Sequence, residues 1–189
     1  MRSGSPNFFV AVLALAACVS ALAQTPTFDV GRTPSAEEIR AWDISIGPAG
    51  KELPPGSGTA QEGGKIYEQK CAVCHGPDGT GGTAHALAGG QGTLTTLKPA
   101  KTVGSYWPFA TSIWDYINRA MPLGAAGTLS ADQVYALTAF ILYRNSIVQE
   151  NDVMDAKSLP KVPMPNRNGF VPPRLEDINQ KRCRLGTCP

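Results

Sequence analysis

Apolar residues recur at helical spacing between Pro108 and Arg119, where Ile113, Tyr116 and Ile117 fall on one side of the chain. Side chains three and four positions apart lie on the same face of an α-helix. The stretch therefore predicts an amphipathic helix with one buried face. This helix ends before the Met-Pro dipeptide that follows, because the residue before a proline is pushed out of the α-helical region.

A second helix is predicted from Ser130, a residue suited to cap a helix N-terminus, to about Arg144. Its apolar side chains cover more than one face: Val134, Tyr135, Leu137, Ala139, Phe140, Ile141, Leu142 and Tyr143. A helix that is apolar nearly all round is buried on several sides. We expect this helix to pack against an earlier helix and also against a cofactor or an extension of the chain.

A third helix is predicted from Thr59 to about Lys70, because Thr59 and Glu62 match the capping-box pattern. Gly63 and Gly64 lie inside this helix, and each glycine costs about 1 kcal/mol relative to alanine. Such a cost indicates that another element approaches the helix closely at this point. The helix leads directly into a pentapeptide that contains two cysteines.

Proline-rich stretches with few apolar residues flank these helices and predict extended arms. The N-terminal arm spans 24–55 and contains one short predicted helix, from an N-cap at Ser35 to Trp42. The C-terminal extension spans 150–189 and is again rich in proline. The sequence thus predicts an all-α domain over 56–149 with an arm at each end.

Residues 1–23 have the pattern of a cleavable signal peptide, with a basic Arg2, an apolar run over 8–17 and an Ala-Leu-Ala site that ends at Ala23. The apolar run is too short to span a bilayer. A second processing pattern ends at Cys18 and is typical of lipoproteins, so lipid anchoring through this cysteine is the alternative. We expect an exported protein without a transmembrane segment.

Composition and charge limit the classes of function. The chain has 189 residues and a formal net charge of +2, with no strongly basic segment. Binding of nucleic acid requires a basic face, so we expect no nucleic-acid partner. The 20 glycines and 16 prolines suit a loop-rich domain in which a cofactor replaces part of the hydrophobic core.

The pentapeptide Cys71-Ala72-Val73-Cys74-His75 is the attachment signature of a c-type haem. On a helix, Cys71 and Cys74 share one face, so each can form a thioether bond to a haem vinyl group while His75 binds the iron. A Cys-x-x-Cys pair alone also fits thioredoxin-type redox chemistry or a zinc site. A zinc site needs two further ligands, and no second Cys or His pair lies nearby in the sequence. We predict one covalently bound haem c.

Met121 is the predicted second axial ligand. It follows a predicted helix and is held in a stiff loop by the proline after it. A thioether paired with histidine raises the reduction potential of haem iron, whereas a methionine that only fills the core is the alternative. Met154 and Met164 lie in the proline-rich extension and are predicted to be packing residues. His85 follows His75 too closely to reach the opposite face of the haem ring.

Tyr106, Trp107 and Trp114 form an aromatic group before Met121. Such rings usually fill a core. The Tyr106 hydroxyl or the Trp107 indole N–H is also suited to donate a hydrogen bond to a haem propionate. Both residues are therefore candidate cofactor-binding residues, with core packing as the alternative.

Cys183 and Cys188 form a second cysteine pair near the C-terminus. An exported protein resides in an oxidising compartment, so a disulfide between these two residues is expected. The closed loop is short, and the expected stabilisation is therefore modest, roughly 2 kcal/mol. A redox-active pair is the alternative.

The run from Gly63 to His75 (GGKIYEQKCAVCH) resembles the first helix of class I cytochromes c. In that family a glycine and an aromatic residue of this helix contact the C-terminal helix, and Gly63 and Tyr67 occupy the matching positions. The resemblance implies that 130–144 is the last helix and that the methionine of the Met-Pro dipeptide is the axial ligand. Many relatives have a proline carbonyl that accepts the proximal histidine N–H. Here the carbonyl of His85 or of a neighbour takes that position.

A narrower resemblance covers most of the chain. Several segments are similar to the cytochrome subunits of periplasmic sulfite and sulfane dehydrogenases of the bacterial sulfur-oxidation (Sox) system: 41–44 (AWDI), 53–58 (LPPGSG), 102–108 (TVGSYWP), 119–122 (RAMP), 164–166 (MPN) and 169–172 (GFVP). The resemblance implies a periplasmic protein whose partner is a molybdopterin-containing dehydrogenase subunit. Some members carry two haems, and this chain, with one haem motif, matches their first haem domain.

The first functional hypothesis is a monohaem cytochrome c that accepts electrons from a molybdenum sulfite or sulfane dehydrogenase and is not an enzyme by itself. It would pass the electrons to a downstream carrier such as another cytochrome c. The long arms favour a bound subunit over a free shuttle. The second hypothesis is a freely diffusing periplasmic carrier whose arms wrap its own core. The third is a haem enzyme or gas sensor with an open distal site.

Overall fold

The computed structural model describes residues 30–172, and this part of the chain is mostly helical. The chain divides after Asp43 into two compact units. The first unit contains helix α1 (Ala36–Trp42). The second unit contains the following helices and strands: β1 (Ser57–Gly58), α2 (Ala60–Lys70), α3 (Ala72–His75), α4 (Val103–Tyr106), α5 (Ala110–Ala120), α6 (Ala131–Arg144) and β2 (Met154–Asp155).

Reciprocal side-chain caps begin helices α1, α2 and α6. In each, the hydroxyl of the capping residue accepts a hydrogen bond from the backbone N–H of the residue three positions later. The side chain of that later residue accepts a hydrogen bond from the backbone N–H of the capping residue. Such caps satisfy N–H groups that have no partner inside the helix. The three helices begin and end where the sequence predicts. The capping pairs are Ser35 with Glu38, Thr59 with Glu62, and Ser130 with Gln133.

Helix α5 begins later than the apolar pattern predicts. The predicted start is Pro108, whereas the helix begins at Ala110 with Phe109 as its cap. Trp107 has an extended backbone, with φ −71° and ψ 128°, as residues before proline prefer. The four-residue helix α4, which is capped by Thr102, has no counterpart in the sequence prediction.

Helices α2 and α6 touch at Gly63. A Cβ atom placed on Gly63 would overlap the carbonyl oxygen of Ala136 and lie 2.5 Å from its carbonyl carbon. Only a residue without a side chain allows the two backbones to approach this closely. Beside this crossing, the ring centroids of Tyr67 and Phe140 are 4.8 Å apart. The close approach inferred from the costly glycine is confirmed, as are the contacts of Gly63 and Tyr67 with the last helix.

Helix α6 lies at the centre of the core. It contacts α2, α5 and the strand β1, and its buried residues lie on several faces. Tyr135 packs against Trp114 of α5 with ring centroids 5.6 Å apart, and its hydroxyl donates a hydrogen bond to the Pro54 carbonyl (2.8 Å). The burial on several sides that the apolar content predicts is therefore confirmed.

The described part of the C-terminal extension completes the same core. Strand β2 pairs with β1 in antiparallel fashion, so that Ser57 lies opposite Asp155 and Gly58 lies opposite Met154. The chain then covers the outer side of the core with four buried side chains, Met154, Leu159, Val162 and Met164. Both methionines of the extension are packing residues, as the sequence predicts.

Asp115 of α5 anchors the segment that precedes β1. One oxygen of its carboxylate accepts hydrogen bonds from the Ile46 backbone N–H (2.9 Å) and from Arg119 Nε (2.9 Å). Burial alone would raise the pKa of the Asp115 carboxyl, but the hydrogen bonds from Arg119 and Ile46 outweigh it and lower that pKa. Leu53 of the same segment is buried in the core. The segment is thus held by the Asp115 carboxylate at Ile46 and by burial in the core at Leu53.

We expect Asp115→Asn to destabilise the fold by about 1–3 kcal/mol at neutral pH, because hydrogen bonds to a charged group contribute about that much. The folded pKa is lowered, so the stabilisation is present above the unfolded value of about 3.9 and is lost as the pH falls through the folded pKa. Urea unfolding of the wild type and the variant at neutral and acidic pH measures this difference in stability. The variant and the wild type should converge in acid, and the exposed Asp43→Asn control should change little. A difference independent of pH would contradict this account.

Three predicted features lie outside the described residues: the signal peptide over 1–23, the lipidation alternative at Cys18, and the disulfide between Cys183 and Cys188. The division of the chain into two arms and a central domain stays a prediction. Within residues 30–172, no helix has the length and apolar character needed to cross a membrane.

Candidate functional site

The cysteine motif forms the one-turn helix α3 directly after α2. Cys71 is half-buried against the core, Cys74 is exposed, and no disulfide joins the two. Burial raises the pKa of the Cys71 thiol to about 11, although neighbouring Lys70 lowers it. Reactive cysteines of the thioredoxin type have a lowered pKa instead. The environment of Cys71 therefore does not favour that alternative.

A backbone carbonyl orients the imidazole of His75. The Nδ1 atom lies 2.8 Å from the carbonyl oxygen of His85. A carbonyl only accepts hydrogen bonds, so Nδ1 carries the proton and donates it, and Nε2 keeps a lone pair for a metal. Metal-binding histidines are commonly held in this way. The family resemblance predicts that this acceptor is the carbonyl of His85 or of a neighbour. In the structure it is the carbonyl of His85.

Backbone hydrogen bonds hold the loop between these two histidines. The Gly81 N–H donates to the His75 carbonyl (3.0 Å), and the Ala84 N–H donates to the Cys74 carbonyl (2.9 Å). Gly76 has φ +80°, and a Cβ atom there would lie 2.5 Å from the carbonyl oxygen of Gly81. Glycine is needed at this turn, which brings the accepting carbonyl back to the imidazole.

Tyr67 ties helix α2 to the start of this loop. Its ring is buried, and its hydroxyl donates a hydrogen bond to the Gly76 carbonyl (2.9 Å). Burial raises the pKa of Tyr67 to about 12, so the phenol keeps its proton and remains a donor near neutral pH. The turn after the haem motif is therefore fixed from the core side.

Met121 lies directly after α5, and its side chain is half-buried against the core. The loop that follows closes on itself through two backbone hydrogen bonds. The Ala125 N–H donates to the Pro122 carbonyl (2.8 Å), and the Gly127 N–H donates to the Asn118 carbonyl (3.2 Å). This closed loop fixes the backbone that follows Met121.

The aromatic group before Met121 divides by burial. Tyr106 and Trp107 are half-buried, and Trp107 lies edge-on to Tyr116 with ring centroids 5.8 Å apart. Trp114 is 2% exposed, and its indole N–H has no hydrogen-bond partner among the described residues. A buried donor without a partner is costly, so it calls for an enclosed water molecule as its acceptor. The sequence names Trp114 only as a member of the group, because burial is the signal that singles it out.

The residues present fit a c-type haem. The two thiols are not joined, and the imidazole is oriented with Nε2 as its metal-binding atom. Within residues 30–172, no three His, Cys, Asp or Glu side chains come together in a group that could hold a metal ion. A structural zinc site needs four such ligands, so the zinc alternative is not supported.

Two sequence comparisons point to the same cofactor. The family model for cytochrome c oxidase, cbb3-type, subunit III matches residues 58–141. The chain is 30% identical over 112 residues to the thiosulfate dehydrogenase of Stutzerimonas stutzeri (strain A1501). This match covers 53% of the present chain and 35% of that enzyme, so the chain spans about a third of the relative's length.

A comparison with solved structures covers most of the chain. In the crystal structure of the sulfane dehydrogenase SoxCD from Paracoccus pantotrophus, one chain is 39% identical and superposes with a TM-score of 0.72. The match covers 86% of the present chain and 83% of that one. The predicted all-α class I cytochrome c fold, with electron transfer as its chemistry, is confirmed. This chain therefore belongs to the cytochromes c and is, among them, a relative of the subunits of Sox-type sulfur-oxidising dehydrogenases.

Proposed function

We propose that this chain is a periplasmic monohaem cytochrome c that accepts electrons from the molybdenum subunit of a sulfite or sulfane dehydrogenase. The observation that carries the proposal is the 39% identity to a chain of SoxCD, over 83% of that chain. Similarity to a thiosulfate dehydrogenase adds support for a sulfur substrate. The electrons would leave to another carrier, such as a second cytochrome c, and the chain itself would not oxidise sulfur.

Four side chains would hold the cofactor. The Sγ atoms of Cys71 and Cys74 would form the two thioether bonds, and His75 Nε2 and Met121 Sδ would be the axial ligands. Bound there, haem supplies an iron that gains and loses one electron at a time. The carbonyl of His85 accepts a hydrogen bond from Nδ1–H and so orients the proximal imidazole with Nε2 available to the iron.

Polar partners for the haem propionates come from the aromatic group. Tyr106 and Trp107 stay the predicted donors, and both are half-buried. Trp114 stays a core residue, since its indole nitrogen is enclosed by the protein. A hydrogen bond to an ionised carboxylate is stronger than one between neutral groups, so such a contact from Tyr106 or Trp107 would stabilise the bound haem.

The first unit supports a protein partner. Helix α1 is fully capped and carries the Arg32–Glu38 ion pair, yet it buries none of its own residues. Ile39 and Trp42 lie about one turn apart on this helix and are 51% and 86% exposed. A helix of seven residues is not stable alone in water. An apolar surface of another chain would account for both the helix and its exposed tryptophan.

A freely diffusing carrier is the second candidate function, and one observation favours it. The segment before β1 and the described part of the extension bury Leu53, Leu159 and Met164 in their own domain. These two segments contribute to the core, as expected if the arms wrap their own domain. Among the described residues, the first unit remains the segment whose exposed apolar side chains favour a partner.

Purification of the native protein from the periplasm tests the proposal. We expect it to co-elute with a molybdenum-containing protein and its haem to become reduced when sulfite or a sulfane compound is added. Trp42→Ser should weaken the co-elution, whereas Leu97→Ser, at an equally exposed apolar position, should not. Elution as a lone monomer would support the free carrier. Rapid binding of carbon monoxide to the ferrous wild type would instead favour a haem enzyme or gas sensor.

A further inference from the structure

Asn145 lies at the C-terminal end of α6 and is 4% exposed. Its Nδ2 atom donates hydrogen bonds to the carbonyls of Leu87 (3.1 Å) and Ile141 (2.8 Å). Its Oδ1 atom accepts hydrogen bonds from the Gly89 N–H (3.0 Å) and from Gln91 Nε2 (3.3 Å). These partners fix which end of the amide is oxygen, since a flipped amide would oppose donors to donors and acceptors to acceptors.

Three of these four partners, Leu87, Gly89 and Gln91, lie within six residues after His85. From the other side, the Leu87 and Ala88 N–H groups both donate to the Gly79 carbonyl, at 2.7 and 2.9 Å. Residues 87–89 are therefore clamped between Gly79 and the Asn145 amide. His85 is only two positions away, so the clamp restricts how far its carbonyl can move from His75 Nδ1.

Helix α4 packs against a further side of the Asn145 amide. A Cβ atom on Gly104 would overlap the Asn145 amide and lie 2.8 Å from its Cβ. Next to it, the Thr102 hydroxyl donates to the Gly89 carbonyl (2.5 Å). The amide is thus enclosed by three elements and shielded from water, and hydrogen bonds in such surroundings are stronger than exposed ones.

We propose that Asn145 is a positioning residue, which holds the His85 carbonyl on the proximal imidazole and thereby tunes the bond between His75 and the iron. This inference rests on the proposed function, since it requires His75 as an iron ligand. A hydrogen bond from Nδ1–H makes the imidazole a stronger ligand and favours ferric iron. Loosening the clamp weakens the hydrogen bond from His75 Nδ1–H, and the reduction potential of the haem then rises.

The test uses the full-length ferrous holoprotein and follows the His75 Nδ1–H by NMR, together with a redox titration. Asn145→Leu removes the amide at similar volume, and we expect exchange of this proton with water to become about tenfold faster. The reduction potential should shift upward. Gln149→Leu is the control, because Gln149 is exposed and its bonds to Asp152 are made by its backbone, and both readouts should stay at wild-type values.

If Asn145→Leu fails to retain haem, the same measurement of His75 Nδ1–H exchange on Asn145→Asp tests the role of Asn145. It keeps the acceptor for Gly89 and loses the donor to Leu87, so faster exchange is again expected. Unchanged exchange in a variant that retains haem would overturn the role of Asn145 while leaving the proposed function intact. A wild type whose His75 ring signals lack the shifts of a haem ligand would overturn both.

Discussion

Replacing Met121 with leucine is expected to lower the reduction potential by on the order of 0.2 V, a fraction of the roughly 0.8 V that axial ligands control. Leucine fills a similar volume, so the half-buried position keeps its packing while the sulfur is lost. Thioether ligation stabilises ferrous iron, and its loss therefore favours the ferric form. The opened coordination position should also let carbon monoxide bind, which a redox titration and carbon monoxide difference spectra measure.

Met164→Leu is the control for this experiment. Met164 is 4% exposed and packs in the core, so the same substitution there should cost less than about 1.5 kcal/mol of stability. The potential and the resistance to carbon monoxide should stay at their wild-type values. If Met121→Leu also keeps both properties, Met121 is a core residue and another group occupies the distal side of the iron.

Gly63→Ala is expected to reduce the free energy of unfolding by about 1–3 kcal/mol or more, because the added methyl overpacks a full contact. The new Cβ atom would overlap the Ala136 carbonyl oxygen and lie 2.9 Å from Phe140 Cβ. The neighbour is backbone, so α2 and α6 must separate for the methyl to fit. The gain of about 1 kcal/mol in helix propensity does not compensate for this separation. Urea unfolding of the holoprotein measures the loss.

Gly64→Ala is the matched control at the next position of the same helix. The nearest atoms to an added Cβ are Cε2 and Cδ2 of the Phe140 ring, at 3.3 and 3.4 Å, and a half-buried ring can shift slightly. The change in unfolding free energy should lie between neutral and about 1 kcal/mol of stabilisation. Equal losses at both glycines would show that helix contact at Gly63 does not set the stability.

The candidate site shows the difference between local and long-range information. The cysteines and His75 are predicted from the pentapeptide alone, and Met121 is predicted from its place between a helix and a proline. Trp114 is separated from the half-buried Tyr106 and Trp107 only by its burial in the folded chain. Asn145 has no local signature, since its role comes from carbonyls and N–H groups more than fifty positions earlier in the chain.

Helix starts at Ser35, Thr59 and Ser130 could be read in advance, because a cap and its partner lie three residues apart and need nothing else from the fold. Folding decided the rest: that His85 supplies the carbonyl for the proximal imidazole, and that the described part of the proline-rich extension, residues 150–172, contributes to the core. Those outcomes join groups that are distant along the chain. Their meeting depends on how whole helices and loops pack, which no short pattern of residue types encodes.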